Sequence, residues 1–343
     1  MLSDIARERF RRFRAIKRAW YSLIILSVAF VLSLFSEQFA NDHPLLLAYR
    51  GHYYFPTIKF YPQADFGGTY KTEADYFALR DDPAFHAAGG WMVFPLIPNG
   101  AQRSDLGMDG NPPYPPSRAH WLGTDGSGRD VLTRLIYGFR IGMVFSLALT
   151  VISTIAGVVI GAIQGYAGGA VDLTGQRLIE IWNALPFLYV VILMGSIYGQ
   201  GFGMLLLVIS LFQWIGLSYY VRGEFFKLRE QPYVLASRAM GAGHLRLLFR
   251  QILPNAMTPV ITILPFTLIA GISSLTALDF LGFGLPPPTP SWGELIDEGL
   301  QNLQAPWLAG SAVAALFITL LLATMIGEGI RDALDPKSLT KLR

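Results

Sequence analysis

Residues 181–221 run for 41 positions without a charged side chain. An apolar helix needs about 20 residues to cross the hydrocarbon of a bilayer. This run therefore holds two crossings, and GQGFG at Gly199–Gly203 supplies the break between them. Four more charge-free runs meet the same length rule: Ala19–Ser36, Ile141–Ala170, Gln251–Leu278 and Gly299–Gly327. Only 15% of the 343 residues are charged, where soluble domains carry about 25%, and mean hydropathy is +0.40. The predicted fold class is an all-α polytopic membrane protein with six transmembrane helices.

The first run follows a basic start and has to be weighed as a secretory signal. Gln38 stands where a small residue is expected before Ala40, so the run reads as an uncleaved anchor. Lysine and arginine set orientation. Seven lie in the first 18 residues, six in 222–256 and four after Gly327. The stretch from Glu37 to Phe139 carries eight over 103 residues, outnumbered by eleven acids. The expectation is that both termini and the 222–256 loop face the cytoplasm and the long segment faces the other side. There is no cysteine, which excludes disulfides, thiolate metal sites and cysteine nucleophiles.

The long segment is aromatic (HYYFPTIKFYPQADFGGTY) and ends in the proline-rich Asn111–Ser117. It holds four of the five histidines, His43, His52, His86 and His120, none paired at the spacing of a metal-ligand motif. Its aromatic content predicts a folded cap with two or three short strands and a proline-stiffened linker, not a disordered stretch.

Residues 234–255, VLASRAMGAGHLRLLFRQILPN, are basic, helix-forming and interrupted. Tyr233, Ala236, Ala239 and Met240 recur at helical spacing, as do Leu245, Leu248, Phe249 and Ile252. Gly241 and Gly243 permit a turn between two short amphipathic helices. Pro254 suits the first turn of the helix that follows, where its missing N–H is no loss. Arg246 and Arg250, four apart, share a face. Two uses fit: an interfacial helix with arginines toward anionic lipid, or a docking element that a soluble partner moves.

This stretch resembles the EAA coupling loop of ABC importer permeases. Ala236 and Ser237 take the positions of its two alanines, Gly241 its glycine and Leu253-Pro254 its Leu-Pro end; Leu235 replaces the acid and Ser237 the second alanine. HWLGTDGSGRDVLTRLIYGFRIG (His120–Gly142), GYAGGAVD (Gly165–Asp172) and SLTALDFLGFGLPPPTPSWGELI (Ser274–Ile296) resemble segments of the dipeptide and oligopeptide permeases. The long insert most resembles that of the E subunit in Yej-type importers, the microcin C-type system. The resemblance implies a MetI-like permease fold and a peptide importer of the bacterial inner membrane. It implies a second permease subunit, two ATPase subunits that hold ATP and Mg, and a periplasmic peptide-binding protein. No cofactor is expected in this chain, and no nucleic-acid partner; membrane lipid surrounds it. Ala236, Ser237, Gly241, Arg246, Arg250, Leu253 and Pro254 would form the docking loop.

The implied organisation is a cytoplasmic N-terminus (1–18), a first span (19–36), a periplasmic insert (37–119) and an interfacial helix region (120–140). A five-span core (141–335) with the loop 222–256 follows, then a cytoplasmic tail (336–343). Thr124, Asp125 or Ser127 can cap the helix after TDGSGRD, with Arg134 and Arg140 off its apolar side; Trp292 can anchor at the interface, and 291–304 can form a short helix. Gly157/Gly161 and Gly138/Gly142 are GxxxG pairs suited to packing within the subunit, or to a seam with a second permease chain. Arg177/Glu180 and Glu328/Arg331 can neutralise themselves at helical spacing, whereas Asp279, with no cation near in sequence, is a candidate for lining the pathway.

Catalysis is disfavoured. The six lysines follow Ile16, Ile58, Tyr70, Phe226, Pro336 and Thr340, so none completes the Gly-Lys of a P-loop; HExxH is also absent, and DGSGR lacks the first glycine of GxSxG. ATP hydrolysis is expected on separate subunits. The rival readings are a secondary transporter or channel without ATPase partners, and a membrane-anchored receptor or enzyme built on residues 37–120.

Overall fold

The computed structural model describes residues 4–335; the predicted tail 336–343 lies outside the described residues. The helices are α1 (Asp4–Ala15), α2 (Lys17–Leu34), α3 (Ser36–Phe39), α4 (Tyr76–Arg80), α5 (Pro83–Ala87), α6 (Val131–Ala167) and α7 (Gly169–Asn183). There follow α8 (Phe187–Tyr198), α9 (Phe202–Arg229), α10 (Pro232–Ala239), α11 (His244–Leu247), α12 (Leu253–Phe280), α13 (Trp292–Gln301) and α14 (Pro306–Leu334). Strands β1 (Leu46–Tyr49), β2 (His52–Tyr54) and β3 (Trp91–Val93) make one antiparallel sheet in the order β2-β1-β3. The chain divides into two compact units, one of residues up to Ser27, Gly142–Pro286 and from Phe317, the other of Val28–Ile141 and Pro287–Leu316.

Among the described residues five helices are long and apolar enough to cross a membrane, or six if α7 and α8 together count as one. The third crossing differs from the uninterrupted helix that charge counting suggests. α7 and α8 meet at a 70° bend. Pro186 sits at the start of α8; it offers no N–H and pushes the residue before it out of the helical region. The twelve residues of α8 reach only about 18 Å, too short to cross alone.

In the first unit, α6 lies against α9 through a stripe of glycines. A Cβ at Gly157, Gly161 or Gly165 would stand 2.9, 2.5 or 2.6 Å from the carbonyl oxygen of Trp214, Ser218 or Arg222. Both series step by four residues, one helical turn, so two backbones run in contact where any side chain would force them apart. Phe145, Leu149, Val191, Leu205, Val208, Ile209, Leu275 and Leu278 pack a second core beside it. The Gly138/Gly142 pair does not act this way: Gly138 makes room for the Trp292 ring, and nothing lies within 4 Å of a Cβ at Gly142. Arg177 pairs with Glu180 at 2.6 Å, but Glu328 turns from Arg331 to Arg18 at 3.6 Å, and Arg331 sits over the Phe266 ring.

In the second unit, Leu47, Tyr49, Phe66, Ala74, Tyr76 and Phe85 form the core beneath the sheet, with Tyr49 stacked on Phe85 at 5.5 Å. The helix expected to lie at the interface is the first part of α6, continuous from Val131 to Ala167. Its cap is Asp130, whose Oδ1 accepts the Thr133 N–H at 2.7 Å. Asp125 instead accepts the Ser127 and Arg129 N–H groups, both at 2.9 Å, which closes the TDGSGRD turn on itself. Arg134, expected at the helix surface, is fully buried. It pairs with Glu294 at 2.5 Å and Asp125 at 3.2 Å, because a charge taken out of water must find its counter-charge. Arg129 joins Asp125, Glu294 and Glu298 in the same cluster. Trp292 is also buried, its Nε1 donating to Leu135 O at 3.0 Å, so it is a packing residue and not an interfacial anchor.

Candidate functional site

The interrupted segment between α9 and α12 is built on a buried apolar footing. Val234 of α10, Leu247 of α11 and Ile252 pack with Leu217, Val221 and Phe225 of α9 and with Ala256 and Val260 of α12. α10 opens with Pro232 in its first turn and closes at Gly241, which holds φ +84°. The Ala242 N–H reaches back to Ser237 O and the Gly241 N–H to Arg238 O, both at 3.0 Å. This is the six-to-one and five-to-two pairing of a Schellman stop, which puts a left-handed residue at that position and favours glycine. Gly243, expected to share the turn, has φ −67° and ψ 155°, a conformation open to any residue. The elbow thus rests on one glycine.

Beyond the turn, α11 runs into a π-turn, Leu248–Ile252, and then α12 with Pro254 in its first turn. The widened turn lies where the proline ring would press on the carbonyl four residues earlier. Polar contacts brace the elbow. Gln251 Nε2 donates to Ser237 Oγ at 2.8 Å, and Tyr166 OH lies 2.8 Å from His244 Nδ1. Arg229 donates to Gly165 O and Tyr166 O at the end of α6, and Arg222 makes a two-pronged ion pair with Asp172.

What the elbow presents outward is apolar and cationic. Met240 is 81% exposed, Leu245 74% and Phe249 57%, with Tyr233 and Leu235 also open. Ala236 and Ala239 are exposed beside them. Arg238, Arg246 and Arg250 are exposed and make no ion pair among the described residues. Apolar side chains of this size left open together mark a contact surface for protein or membrane.

The predicted loop residues are therefore brought together: Ala236, Gly241, Arg246, Arg250 and Pro254 at the surface, Ser237 and Leu253 partly buried. The two faces of each short helix, which helical spacing alone left unassigned, are now separated. Tyr233, Ala236, Met240, Leu245 and Phe249 face out, while Val234 and Leu247 hold the elbow down. Asp279 is not part of this cluster. It lies 26 residues along α12 from Leu253, about 39 Å away. Its Oδ1 accepts the Leu285 N–H at 2.7 Å.

Residues 157–339 match the family of binding-protein-dependent transport system inner membrane components. This chain belongs to that family: it is an ABC importer permease, a transport component of the inner membrane. It is 46% identical over 338 residues, 98% of both chains, to the inner membrane ABC transporter permease protein YejE of Escherichia coli K12. It is 41% identical over 359 residues, 98% of this chain and 94% of the other, to the peptidoglycan transport system permease protein YejE of Agrobacterium fabrum. The dipeptide transport system permease protein DppC of Bacillus subtilis is 37% identical over 65% of this chain and 70% of its own. The expected resemblance to peptide permeases, long insert included, is confirmed.

Proposed function

We propose that this chain is one of two permease subunits of an ATP-driven peptide importer, and that residues 234–255 receive the force. The single observation that carries the proposal is the elbow: a Schellman-stopped turn, anchored from below by Val234 and Leu247, with an uncovered surface of apolar side chains and unpaired arginines. The relatives' cargoes, dipeptides and peptidoglycan among them, support a peptide as the transported solute. In this reading ATP and Mg bind two partner ATPase subunits, and a periplasmic binding protein delivers the peptide. Both termini and the elbow lie in the cytoplasm. Closure of the ATPases carries the elbow as a rigid body, and α9 and α12, which share its apolar footing, transmit the displacement. Asp279, engaged on the backbone beyond α12, shapes the wall of the path at the far end of that helix.

Gly241→Asp in the assembled importer tests this. No atom lies within 4 Å of a Cβ at this position, so aspartate adds strain and charge to the surface without a core clash. ATP-driven peptide uptake is expected to be lost while membrane insertion persists. Normal uptake would remove the coupling role from the elbow.

A further inference from the structure

Helix α1 is separated from the first span by one residue: it ends at Ala15 and α2 begins at Lys17. Hydrogen bonds cross the joint, from Ile16 N to Phe13 O at 3.1 Å and from Trp20 N to Ile16 O at 3.0 Å. One side of α1 packs inward. Phe13 is buried and its ring would lie 3.2 Å from a Cβ at Gly329 of α14. Arg18 reaches Glu328 and Asp332 of the same helix, both at 3.6 Å.

The other side is cationic and aromatic. Arg7, Phe10, Arg11 and Arg14 fall at i, i+3, i+4 and i+7, on one stripe, and all are exposed. On the same helix the Glu8 carboxylate is taken by Arg12 at 2.6 Å. Arg9 and Arg11 make no ion pair among the described residues. Arg14 lies over Trp20 at 5.5 Å, and Phe10, 55% exposed, meets the same indole edge-on at 5.9 Å. Directly beyond, Tyr21, Ile24, Ile25 and Val28 of the span are exposed.

An arginine stripe interleaved with aromatic rings, joined without a linker to an open apolar span, sits at the depth of the headgroups. Arginine there pairs with phosphate, and Trp and Phe occupy the boundary between acyl chains and water. An acidic protein surface would match the charge but not the continuity with the span. We propose that α1 is a binding surface for anionic phospholipid, with headgroup phosphates held by Arg11 and Arg14, and that its Phe13, together with Arg18 at the start of α2, fixes the end of α14.

The absence of cysteine lets a single Ala15→Cys carry a fluorophore on exposed backbone next to the stripe. The full chain in nanodiscs is compared with spin-labelled phosphatidylglycerol and phosphatidylcholine at equal mole fraction. Phosphatidylglycerol is expected to quench more strongly, with local enrichment of about five-fold per engaged cation, and 1 M salt to shrink the difference. Arg11→Gln with Arg14→Gln is expected to equalise the lipids, and Arg11→Lys with Arg14→Lys to keep the preference. Equal quenching in the parent chain, or a preference that survives the glutamines, would overturn the proposal. So would a dye response that arises only when ATPase subunits are added, which makes the stripe a protein contact.

Discussion

Gln251 and Ser237 meet across the Gly241 turn, the Gln251 Nε2 donating to Ser237 Oγ at 2.8 Å. The bond joins α10 to the π-turn that leads into α12, so the serine that replaces the second alanine of the EAA pattern closes the elbow. The side-chain Oε1 of Gln251 is buried without a partner. Ser237→Ala would leave the whole amide stranded, at a cost of about 1–3 kcal/mol, and Gln251→Leu in that background should recover most of it. Hydrogen exchange across residues 238–250 of the full chain reads this directly. Unchanged protection in Ser237→Ala would show that the bond contributes nothing.

The glycine stripe of α6 predicts a contrast between two positions on one helix. Gly161→Ala places its Cβ 2.5 Å from Ser218 O and 2.9 Å from Val221 Cβ, and the overpacking should cost about 1–3 kcal/mol. Gly142→Ala meets nothing within 4 Å and should be neutral or stabilising by about 0.5–1 kcal/mol. Thermal unfolding in detergent separates them; equal melting points would contradict the close approach of α6 and α9.

Arg134 Nη2 donates to Glu294 and Nη1 to the Ala101 carbonyl at 3.2 Å, while Nε stands 3.2 Å from Asp125 as a charge contact without a hydrogen bond. Arg134→Met leaves Arg129 alone to compensate Asp125, Glu294 and Glu298 and should destabilise the second unit by about 3 kcal/mol. Arg134→Lys, which keeps the charge but offers one point of contact, should be nearly as damaging. Limited trypsin digestion of residues 37–130 is the readout. Parent-like resistance in the lysine variant would show that charge alone suffices.

Two histidines of the second unit are each held between carboxylates. His120 lies 2.9 Å from Asp130 and 3.4 Å from Asp105; His43 lies 3.0 Å from both Asp42 and Glu73. The hydrogen bond to Asp130 holds His120 above its ordinary value of 6.5 against the opposing effect of burial, and the bond to Asp42 does the same for His43. A raised folded pKa contributes stability that is complete below the unfolded value near 6.5 and fades as pH climbs through the folded one. Burial raises the Glu298 carboxyl as well, and its contribution fades in the same direction from about 4.5 upward. Protection of residues 40–130, corrected for intrinsic exchange, should fall between pH 6 and pH 8. His120→Gln should flatten that slope. Protection that rises with pH would reverse the sign and refute the assignment.

The long apolar helices were legible because hydrocarbon thickness imposes a length that charge-free runs reveal. The stop at Gly241 was legible for a local reason too: a left-handed turn favours glycine. Reading failed where partners are far apart in sequence. Glu294 is 160 residues from Arg134, so nothing local marks that arginine as buried. Charge counting is blind to Pro186, which breaks the third crossing without altering its polarity. Apolar periodicity did not say which face of the elbow is buried: Tyr233, Met240 and Phe249 are apolar on a surface this chain alone does not bury, whereas Val234 and Leu247 serve its own core.

The central claim is that a separate ATPase seats on the elbow. Ala236 is exposed, and in a chain without cysteine an Ala236→Cys variant can be labelled with a membrane-impermeant thiol reagent. In inside-out vesicles the site should label when the permeases are alone and become several-fold protected when the ATPase subunits are bound. Labelling from outside intact spheroplasts, or equal labelling with and without the ATPases, would contradict the account.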